Sequence, residues 1–424
     1  MSPISASTTS LQQEARASAY SMPLDQIDVS DPLLFENDTV GHYFERLRRD
    51  DPVHRASSPL FGEYWSVTKY KDIMEVDTKH GVFSSDSVHG GISIADSPKE
   101  FRFANFISMD PPRHDEQRKA VSPIVAPANL ASMESTIRAR TCKVLDDLPR
   151  NETFNWVERV SIELTTQMLA TLFNFPFEDR SLLTWWSDVA TTMPGTGVIS
   201  SIKTWDDRQA ELLKCLEYFT RLWNERVNAP PSYDLISMLA HAPATRDMGP
   251  REFLGNLVLL IVGGNDTTRN SMTGGLYGLH RHPEQYAKLL ANPALIESMV
   301  PEIIRWQTPL AHMRRTALAD TELGGKQIHK GDKVIMWYLS GNRDADAIEN
   351  PDQFIIDRAR PRQHLSFGFG IHRCVGNRLA EMQLKILWEE ILQRLPAIEV
   401  VGEPIRVRSP FVRGFTHLPV RIPG

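Results

Sequence analysis

The sequence predicts a mainly α fold with small accessory β-sheets. Apolar residues recur at three- and four-residue spacing in most long segments, whereas strictly alternating runs are few and short. The predicted helices cover 136–148, 157–174, 206–227, 250–281, 284–306 and 377–394. The predicted strands lie near 64–68, 321–328, 333–338, 405–407 and 418–422. No period of about 20 to 50 residues repeats, which argues against solenoids and propellers.

Length, charge and hydropathy exclude several classes of protein. The chain has 424 residues of which 41% are hydrophobic, enough to bury a large core. A net charge of −6 without a long block of like charges gives no electrostatic footprint for nucleic acid. No run reaches the ~18 apolar residues of a membrane span, and the N-terminus lacks a secretory pattern. We therefore expect a cytoplasmic protein that neither spans a membrane nor binds nucleic acid.

The three cysteines, Cys142, Cys215 and Cys374, form no C-x-x-C pair and no cluster with histidine at zinc spacing. This pattern argues against a disulfide scaffold and a structural zinc site. Cys142 and Cys215 fall inside helical patterns and are expected to be buried structural thiols. Cys374 differs because glycines surround it.

The chain is expected to form one domain preceded by an arm. Residues 1–30 are rich in Ser, Ala, Gln and Asp and are predicted to be a mobile N-terminal arm or a loosely docked helix. Residues 31–424 are predicted to form a single catalytic domain. Within it, the irregular stretch 80–112 is too long for an ordinary connection. It is either a disordered surface loop or a binding loop, and large apolar residues such as Ile92 and Phe106 favour binding.

The cysteine loop, Phe367-Gly-Phe-Gly-Ile-His-Arg-Cys374-Val-Gly376, directly precedes a predicted helix. At a helix N-terminus the dipole and the unpaired backbone N–H groups stabilise an anion, here a thiolate. Gly368, Gly370 and Gly376 leave room for a bulky ligand and permit positive φ. The alternative is a glycine-rich turn around an ordinary buried cysteine.

A long helical pattern of roughly 33 residues from 250 to 282 would span about 50 Å. It is apolar nearly all round up to Val262, and then continues Gly263-Gly264-Asn265-Asp266-Thr267-Thr268. Glycine in mid-helix costs about 1 kcal/mol relative to alanine, so close approach of a ligand is expected there. Asp266 and Thr267 would supply a carboxyl and a hydroxyl at a kink. The alternative is a glycine-kinked core helix with a satisfied polar pair.

Both segments resemble cytochrome P450 proteins. The cysteine loop matches all six fixed positions of Phe-Gly-x-Gly-x-His-x-Cys-x-Gly, and Gly263 to Thr267 resemble the family's Ala/Gly-Gly-x-Asp/Glu-Thr segment. The resemblance implies a triangular helical prism with haem b between the long central helix and the cysteine-loop helix. It implies that Cys374 is the axial ligand of the haem iron. It further implies that Asp266 and Thr267 relay protons during oxygen activation.

Two further sets of residues take their roles from the same resemblance. Glu302-x-x-Arg305 alone would be an ordinary surface ion pair, but with Pro351-x-x-Phe354-x-x-x-Arg358 it matches a structural triad of the family. Propionate-binding side chains are expected at His114, Arg118, Arg315 and His372, although each alone would be a solvated surface residue. Phe367 and Gly376 complete the predicted cofactor-binding set.

The C-terminal half resembles a narrower group, the soluble bacterial hydroxylases of alkanes and fatty acids at the terminal carbon. The resemblance lies in 312–325, 330–344, 358–384 and 411–415. It implies a monomer that takes O₂, a small apolar linear substrate, and electrons from an iron–sulfur ferredoxin with an NAD(P)H-dependent reductase. The ferredoxin would dock on Arg113, Lys119, Arg373 and Arg378. The predicted substrate pocket consists of Ile92, Phe106, Val262, Gly263, Leu310, Met313 and Phe411.

Other functions remain open at this stage. Related enzymes hydroxylate sterol side chains, isoprenoids or terpenes with similar C-terminal halves. A non-catalytic haem-thiolate sensor is a more distant alternative, but it would not need the pair Asp266 and Thr267. A strand–GxGxxG–helix unit for a flavin or nicotinamide does not occur, so electrons must come from another protein.

Overall fold

The computed structural model describes residues 6–395 and 397–424, and it confirms a mainly α fold with small β-sheets. The α-helices are α1 (Ala6–Ser21), α2 (Pro32–Glu36), α3 (Val40–Asp50), α4 (Tyr70–Thr78), α5 (Arg113–Val121), α6 (Pro127–Asp146), α7 (Glu163–Phe173), α8 (Ser181–Thr191), α9 (Trp205–Val227), α10 (Leu235–His241), α11 (Pro250–Arg281), α12 (Pro283–Ala291), α13 (Ile296–Gln307), α14 (Tyr338–Gly341) and α15 (Asn377–Arg394). The strands are β1 (Val53–Ser58), β2 (Gly62–Val67), β3 (Phe83–Ser84), β4 (Thr153–Asn155), β5 (Met313–Ala317), β6 (Thr321–Leu323), β7 (Lys326–Ile328), β8 (Lys333–Met336), β9 (Glu399–Val400), β10 (Ile405–Arg406), β11 (Phe415–His417) and β12 (Pro419–Arg421).

The largest sheet has the strand order β1-β2-β8-β5-β3. Strands β2 and β8 are parallel, and the other neighbours in this sheet are antiparallel. The remaining strands form a three-stranded sheet, β4-β12-β9, and the hairpins β10-β11 and β6-β7. The order places β5, which carries Met313 and Arg315, inside the sheet beside the loop that follows α4.

Helix α11 passes through two hydrophobic cores. Phe253, Leu254 and Leu257 in its first half pack in one core with residues of α7 to α10. Met272 and Leu276 in its second half pack in another with residues of α13 and α15. The two apolar halves bracket a buried polar centre, which is where the sequence places its glycines, its acid and its threonines.

Two predicted elements are wrong in detail. The single helix predicted over 284–306 is two helices, because α12 ends at Ala291 and a 3₁₀ turn starting at Pro293 separates it from α13. Proline has no N–H to continue the ladder, and its ring excludes the helical conformation at Asn292. The strand predicted over 321–328 is the hairpin β6-β7, in which Gly324 and Gly325 turn the chain with φ of 57° and 75°.

The N-terminal region is docked rather than a free arm. Helix α1 packs on α3, where the His42 Nε2 atom lies 3.0 Å from the Gln12 Oε1 atom. Arg46 of α3 donates to the carbonyls of Ala19 and Met22, and the Ala19 side chain is fully buried. Of the two alternatives predicted for residues 1–30, a mobile arm or a loosely docked helix, the described residues 6–21 form the docked helix, while residues 1–5 lie outside the described chain. The composition of residues 1–30 could not predict these contacts, because Arg46 lies on α3, outside that segment.

The 80–112 loop is held to the rest of the protein at several points. The Arg314 N–H donates to the carbonyl of Ile92 at 2.8 Å, and the Phe106 N–H donates to the Asn256 side chain at 3.0 Å. Ile94 and Phe106 are buried. Over the described residues, no helix has the length and apolar character needed to cross a membrane.

Candidate active site

A cavity of about 400 Å³ lies between α11, the 80–112 loop and the cysteine loop. Thr267, Arg118, Arg315 and His372 line it, as do Phe367, Cys374 and Gly376 of the cysteine loop. All seven residues predicted for the substrate pocket also line it, namely Ile92, Phe106, Val262, Gly263, Leu310, Met313 and Phe411. The structure therefore brings the two distant motifs of the sequence to one internal space.

Cys374 reaches this cavity from the turn before α15. Its side chain is accessible, and the surface that it exposes faces the cavity. Burial within the protein raises the pKa of the thiol, while the backbone N–H groups of Gly376 and Asn377 and the charge of Arg118 oppose that rise. The turn is closed by the Cys374 N–H, which donates to the carbonyl of Phe367 at 2.8 Å. The helix N-terminus and Arg118 favour a thiolate, but burial outweighs them and leaves the pKa of Cys374 above its usual value.

The glycines of the two motifs have different structural reasons. Gly368 and Gly370 adopt φ of 66° and 65°, and a Cβ atom on Gly370 would lie 2.6 Å from the carbonyl oxygen of Asp77. Gly264 leaves room for Leu169, because a Cβ atom there would lie 2.6 Å from its Cδ2 atom. Gly263 and Gly376 instead border open space in the cavity. Close approach of a ligand therefore accounts for the glycine only at positions 263 and 376.

The predicted anchor residues lie beside the cysteine loop, and three of the four line the cavity. Arg118 on α5 donates to the carbonyl of Arg373 at 2.5 Å. His372 contacts the Ser85 hydroxyl through Nε2 at 2.7 Å, and its buried Nδ1 has no hydrogen-bond partner among the described residues. His114 does not line the cavity, but its ring packs edge-on against that of His372 at 4.3 Å. His114 is therefore placed to position His372.

Burial keeps His372 neutral. It lowers the pKa of His372 to about 2, and the nearby Arg315 and His114 add to the effect. A neutral imidazole donates one hydrogen bond and accepts one. Because Nε2 already contacts the Ser85 hydroxyl, the tautomer decides whether Nδ1 donates towards the cavity.

A buried carboxylate that sequence reasoning missed organises this end of the site. Asp77, near the end of α4, accepts from the Arg315 Nη2 at 2.7 Å and from the Tyr338 hydroxyl at 2.9 Å. It also accepts from the backbone N–H of Phe369 at 2.7 Å. Since its partners lie more than 200 residues away in sequence, no local pattern could have identified Asp77.

At the centre of α11, Asp266 lies one turn before a cation. Its carboxylate is fully buried and 2.6 Å from the Arg269 Nη2 atom, which also contacts Asp188 of α8 at 2.7 Å. Burial raises the pKa of Asp266 to about 6, although Arg269 opposes the rise. Asp266 itself does not line the cavity. Arg269 was missed, although its i, i+3 spacing from Asp266 on a predicted helix was a usable indication.

Thr267 is the member of the pair that lines the cavity. Its hydroxyl donates to the carbonyl of Gly263, one turn earlier in the helix, at 3.0 Å. Helix α11 is continuous from Pro250 to Arg281, so the predicted kink does not break it. Thr267 thus presents a hydroxyl to the cavity from an unbroken helix.

The predicted triad assembles away from the cavity. Arg305 donates to both carboxylate oxygens of Glu302, at 2.7 and 2.8 Å, and Arg358 does so at 3.0 and 3.3 Å. Burial alone would raise the pKa of Glu302, but Arg305 and then Arg358 hold it below its usual value. Arg305 also donates to the carbonyls of Asn342 and Pro351. The triad ties α13 to the segments on either side of Glu349.

Comparisons with known proteins agree with this geometry. Residues 54–408 match the family model described as cytochrome P450. The chain belongs to the cytochrome P450 family. Its fold matches that of cytochrome P450-153 from Novosphingobium aromaticivorans with a TM-score of 0.87 and 48% identity, covering 93% of this chain and 99% of that one.

Two curated relatives also align over most of their length. Linalool 8-monooxygenase of Pseudomonas putida is 34% identical over 406 residues, 94% of this chain and 99% of the relative. Steroid C26-monooxygenase of Mycolicibacterium smegmatis is 33% identical over 391 residues, 89% of each. This P450 is therefore a haem-dependent monooxygenase that requires O₂ and a redox partner.

The residues present in this P450 fit haem b, the cofactor of the family. Cys374 points a sulfur into the cavity, and Gly376 leaves the adjacent surface flat. The unpartnered Nδ1 of His372 and the guanidinium of Arg118 are hydrogen-bonding groups of the kind that propionates need. Bound haem supplies the iron at which dioxygen is reduced and activated. Thr267 would then hold a proton-bearing hydroxyl at the cavity, with Asp266 behind it.

Proposed function

We propose that this P450 hydroxylates the terminal carbon of medium-chain linear substrates, either alkanes or fatty acids. The observation that carries the proposal is the wall of the cavity. Aliphatic and aromatic side chains from α11, the 80–112 loop, the start of β5 and the segment before β11 surround the space next to Thr267. Next to Thr267 such a wall favours the apolar part of a ligand.

Terminal selectivity needs more than an apolar pocket. A terminal methyl is the C–H group that is hardest to oxidise, so the wall must deny internal carbons access to the iron. Leu310 and Phe411 suit this role because backbone pairing fixes both. Leu310 bridges to Val412, and the Ala311 N–H donates to the carbonyl of Phe411 at 2.9 Å.

Electrons are proposed to come from an iron–sulfur ferredoxin and its NAD(P)H-dependent reductase. Arg113, Lys119, Arg373 and Arg378 are exposed on α5, on the cysteine loop and at the start of α15. The backbone carbonyl of Arg373 receives the Arg118 hydrogen bond beside the cavity, so this basic face lies on the cysteine side of the site. An acidic protein would be steered to it.

Hydroxylation of an isoprenoid or of a steroid side chain is the second candidate, favoured by the names of the curated relatives. Calorimetric and spin-state titrations with octane, dodecanoic acid, farnesol and cholestenone distinguish the two. The proposal expects octane and dodecanoic acid to bind and to give terminal alcohols. Tighter binding and faster turnover of farnesol or cholestenone would contradict it.

The wall itself is tested by Leu310→Ala. Removal of the side chain opens space beside the reacting position, so octane products should shift from the terminal alcohol towards internal alcohols. Leu392→Ala, which truncates a half-buried leucine on α15 outside the cavity, is the control and should leave the ratio unchanged. An unaltered product ratio in Leu310→Ala would remove Leu310 from the selective wall.

A further inference from the structure

The charged side chains that line the cavity are all cations. Among the described residues the lining contains Arg102, Arg118, Arg208 and Arg315, and it contains no aspartate or glutamate. Arg315 is paired with Asp77, and Arg118 contacts the carbonyl of Arg373 in the cysteine loop. Arg102 and Arg208 contact neither Asp77 nor the cysteine loop. Binding of the cofactor therefore does not explain why these two arginines line the cavity.

Arg208 stands on the first turn of α9 and reaches back to the end of α8. Its Nε donates to the carbonyl of Val189 at 3.2 Å and its Nη2 to that of Ala190 at 2.5 Å. No ion pair to it occurs among the described residues, and none of them offers its Nη1 a hydrogen-bond partner. Burial alone lowers the pKa of Arg208 to about 10, which still leaves it charged at neutral pH.

Arg102 belongs to the 80–112 loop and is also without a carboxylate partner in the described chain. It donates to the carbonyls of Ser97 and Ser87 at 2.8 and 3.3 Å. The neighbouring Phe101 stacks on Trp205 with ring centroids 6.0 Å apart, and the Arg208 guanidinium lies 5.5 Å from the same indole. The aromatic contact places the segment that carries Arg102 beside the first turn of α9.

Arg208 is half-buried, and a cation partly removed from water without a counter-ion among the described residues is costly, since two carbonyl dipoles do not neutralise its charge. In an apolar cavity the missing partner is an anion carried by an otherwise apolar molecule. A guanidinium with free N–H groups matches a carboxylate in charge and in geometry. We propose that Arg208, assisted by Arg102, binds the carboxylate of a linear fatty acid and so directs the opposite, methyl end of the chain towards the cysteine-loop end of the cavity.

This inference rests on the proposed terminal hydroxylation and decides between its two substrate classes. It makes a fatty acid, rather than an alkane, the ligand with a dedicated contact at each end. It also gives terminal selectivity a second cause, because a head group held by α8 and α9 sets which carbon reaches the far end of the cavity.

Isothermal calorimetry on the haem-loaded protein tests the contact with dodecanoate, its methyl ester and octane. Arg208→Gln should weaken dodecanoate binding by about tenfold or more, because a hydrogen bond to a charged group is lost. Binding of the ester and of octane should not change. Arg221→Gln, on the same helix but exposed and outside the cavity lining, is the matched control and should bind all three ligands like the parent.

An equal loss for all three ligands in Arg208→Gln would overturn the proposal, since it would show that Arg208 only caps α8. If that variant does not fold, the parent protein still decides. Dodecanoate should bind more tightly than methyl dodecanoate, and dodecyltrimethylammonium should bind worst. Equal affinity for acid and ester would overturn the head-group contact. Internal hydroxylation of octane by the parent would instead contradict the proposed function and leave the calorimetric result standing.

Discussion

The centre of α11 carries two neighbouring polar side chains in different surroundings, a buried acid and a hydroxyl that lines the cavity. Asp266 is enclosed beside Arg269, whereas Thr267 is half-exposed to the cavity. A carboxyl with a pKa near 6 exchanges protons close to neutral pH, and a hydroxyl passes them on without a change of charge. Substitution of Asp266 and substitution of Thr267 should therefore impair hydroxylation in different ways.

Thr267→Ala should uncouple electron consumption from hydroxylation while substrate binding stays nearly intact. Cleavage of dioxygen needs protons, and in an apolar cavity they arrive only through placed groups. A larger share of the electrons from NADH should reduce O₂ to hydrogen peroxide and a smaller share should yield alcohol, whereas Thr267→Ser should restore coupling. Asp266→Asn should instead slow total turnover. Equal coupling in Thr267→Ala and the parent would show that protons take another route.

A buried histidine makes the stability of the fold depend on pH. Nδ1 of His312 lies 2.9 Å from the carbonyl of Pro410, and its Nε2 accepts from the Ile94 N–H at 3.2 Å. This pattern fixes the neutral tautomer, because a protonated ring would turn a second N–H towards that of Ile94. Burial lowers the pKa of His312 to about 4 from 6.5.

The unfolded chain therefore binds the extra proton first, and the free energy of unfolding should decrease as pH falls from 6.5 towards 4. The contribution of His312 is at most about 3 kcal/mol. Urea unfolding at several pH values should show a smaller decrease in His312→Gln than in the parent. The exposed His329→Gln is the control and should follow the parent. Identical pH profiles for all three proteins would refute this account.

The Glu302 triad joins helix α13 to a segment that has little regular structure of its own. Arg305 and Arg358 donate to Glu302, and they also donate to backbone carbonyls between Asn342 and Gln353. One carboxylate thus holds two guanidiniums that in turn hold the chain leading to the cysteine loop. The sequence spacing predicted the triad, but not these backbone contacts.

Glu302→Ala should lower the free energy of unfolding by about 3–5 kcal/mol, because it leaves two buried cations without their counter-ion. Denaturant unfolding and haem content per chain measure the loss. Glu399→Ala, which removes an exposed partner of Arg421, is the control and should cost about 1 kcal/mol or less. Recovery of stable, haem-loaded Glu302→Ala with only reduced turnover would argue against a structural role.

The net charge of the protein, −6, conceals a local basic face. Arg113 is 3.0 Å from Glu252, so part of its charge is already compensated, whereas Arg373 and Arg378 have no ion pair among the described residues. Binding of the proposed ferredoxin should therefore depend more on Arg373 and Arg378 than on Arg113. Charge complementarity affects mainly the rate of association and its dependence on salt.

Arg373→Glu combined with Arg378→Glu should raise the KM for ferredoxin at low ionic strength and flatten its salt dependence. Substrate affinity should remain that of the parent. Arg55→Glu, an exposed change on β1, serves as the control. If the double variant accepts electrons like the parent at every salt concentration, the ferredoxin docks elsewhere.

The fold class, the cysteine loop, the central helix and the Glu302 triad could all be predicted from the order of the amino acids. Each of these depends on residues close together in the chain, where spacing and helical periodicity restrict the geometry. Seven residues that line the cavity were also predicted, although they lie far apart in the chain, because the family resemblance indicated their positions. Local patterns did not predict that Pro293 divides 284–306 into two helices. They also did not predict which side chains of α3 hold the N-terminal helix.

The pairs of groups that meet across the cavity follow from the packing of distant segments and could not be predicted. Asp77 contacts Arg315 and Phe369, and Arg208 caps α8 beside Arg102, through pairs far apart in sequence or on elements that periodicity did not predict. The burial that raises the pKa of Asp266 is likewise a property of the packed molecule, and so is the lack of a counter-ion for Arg208 among the described residues. Desolvation and ion pairing depend on every neighbouring segment, so no single stretch of sequence contains them.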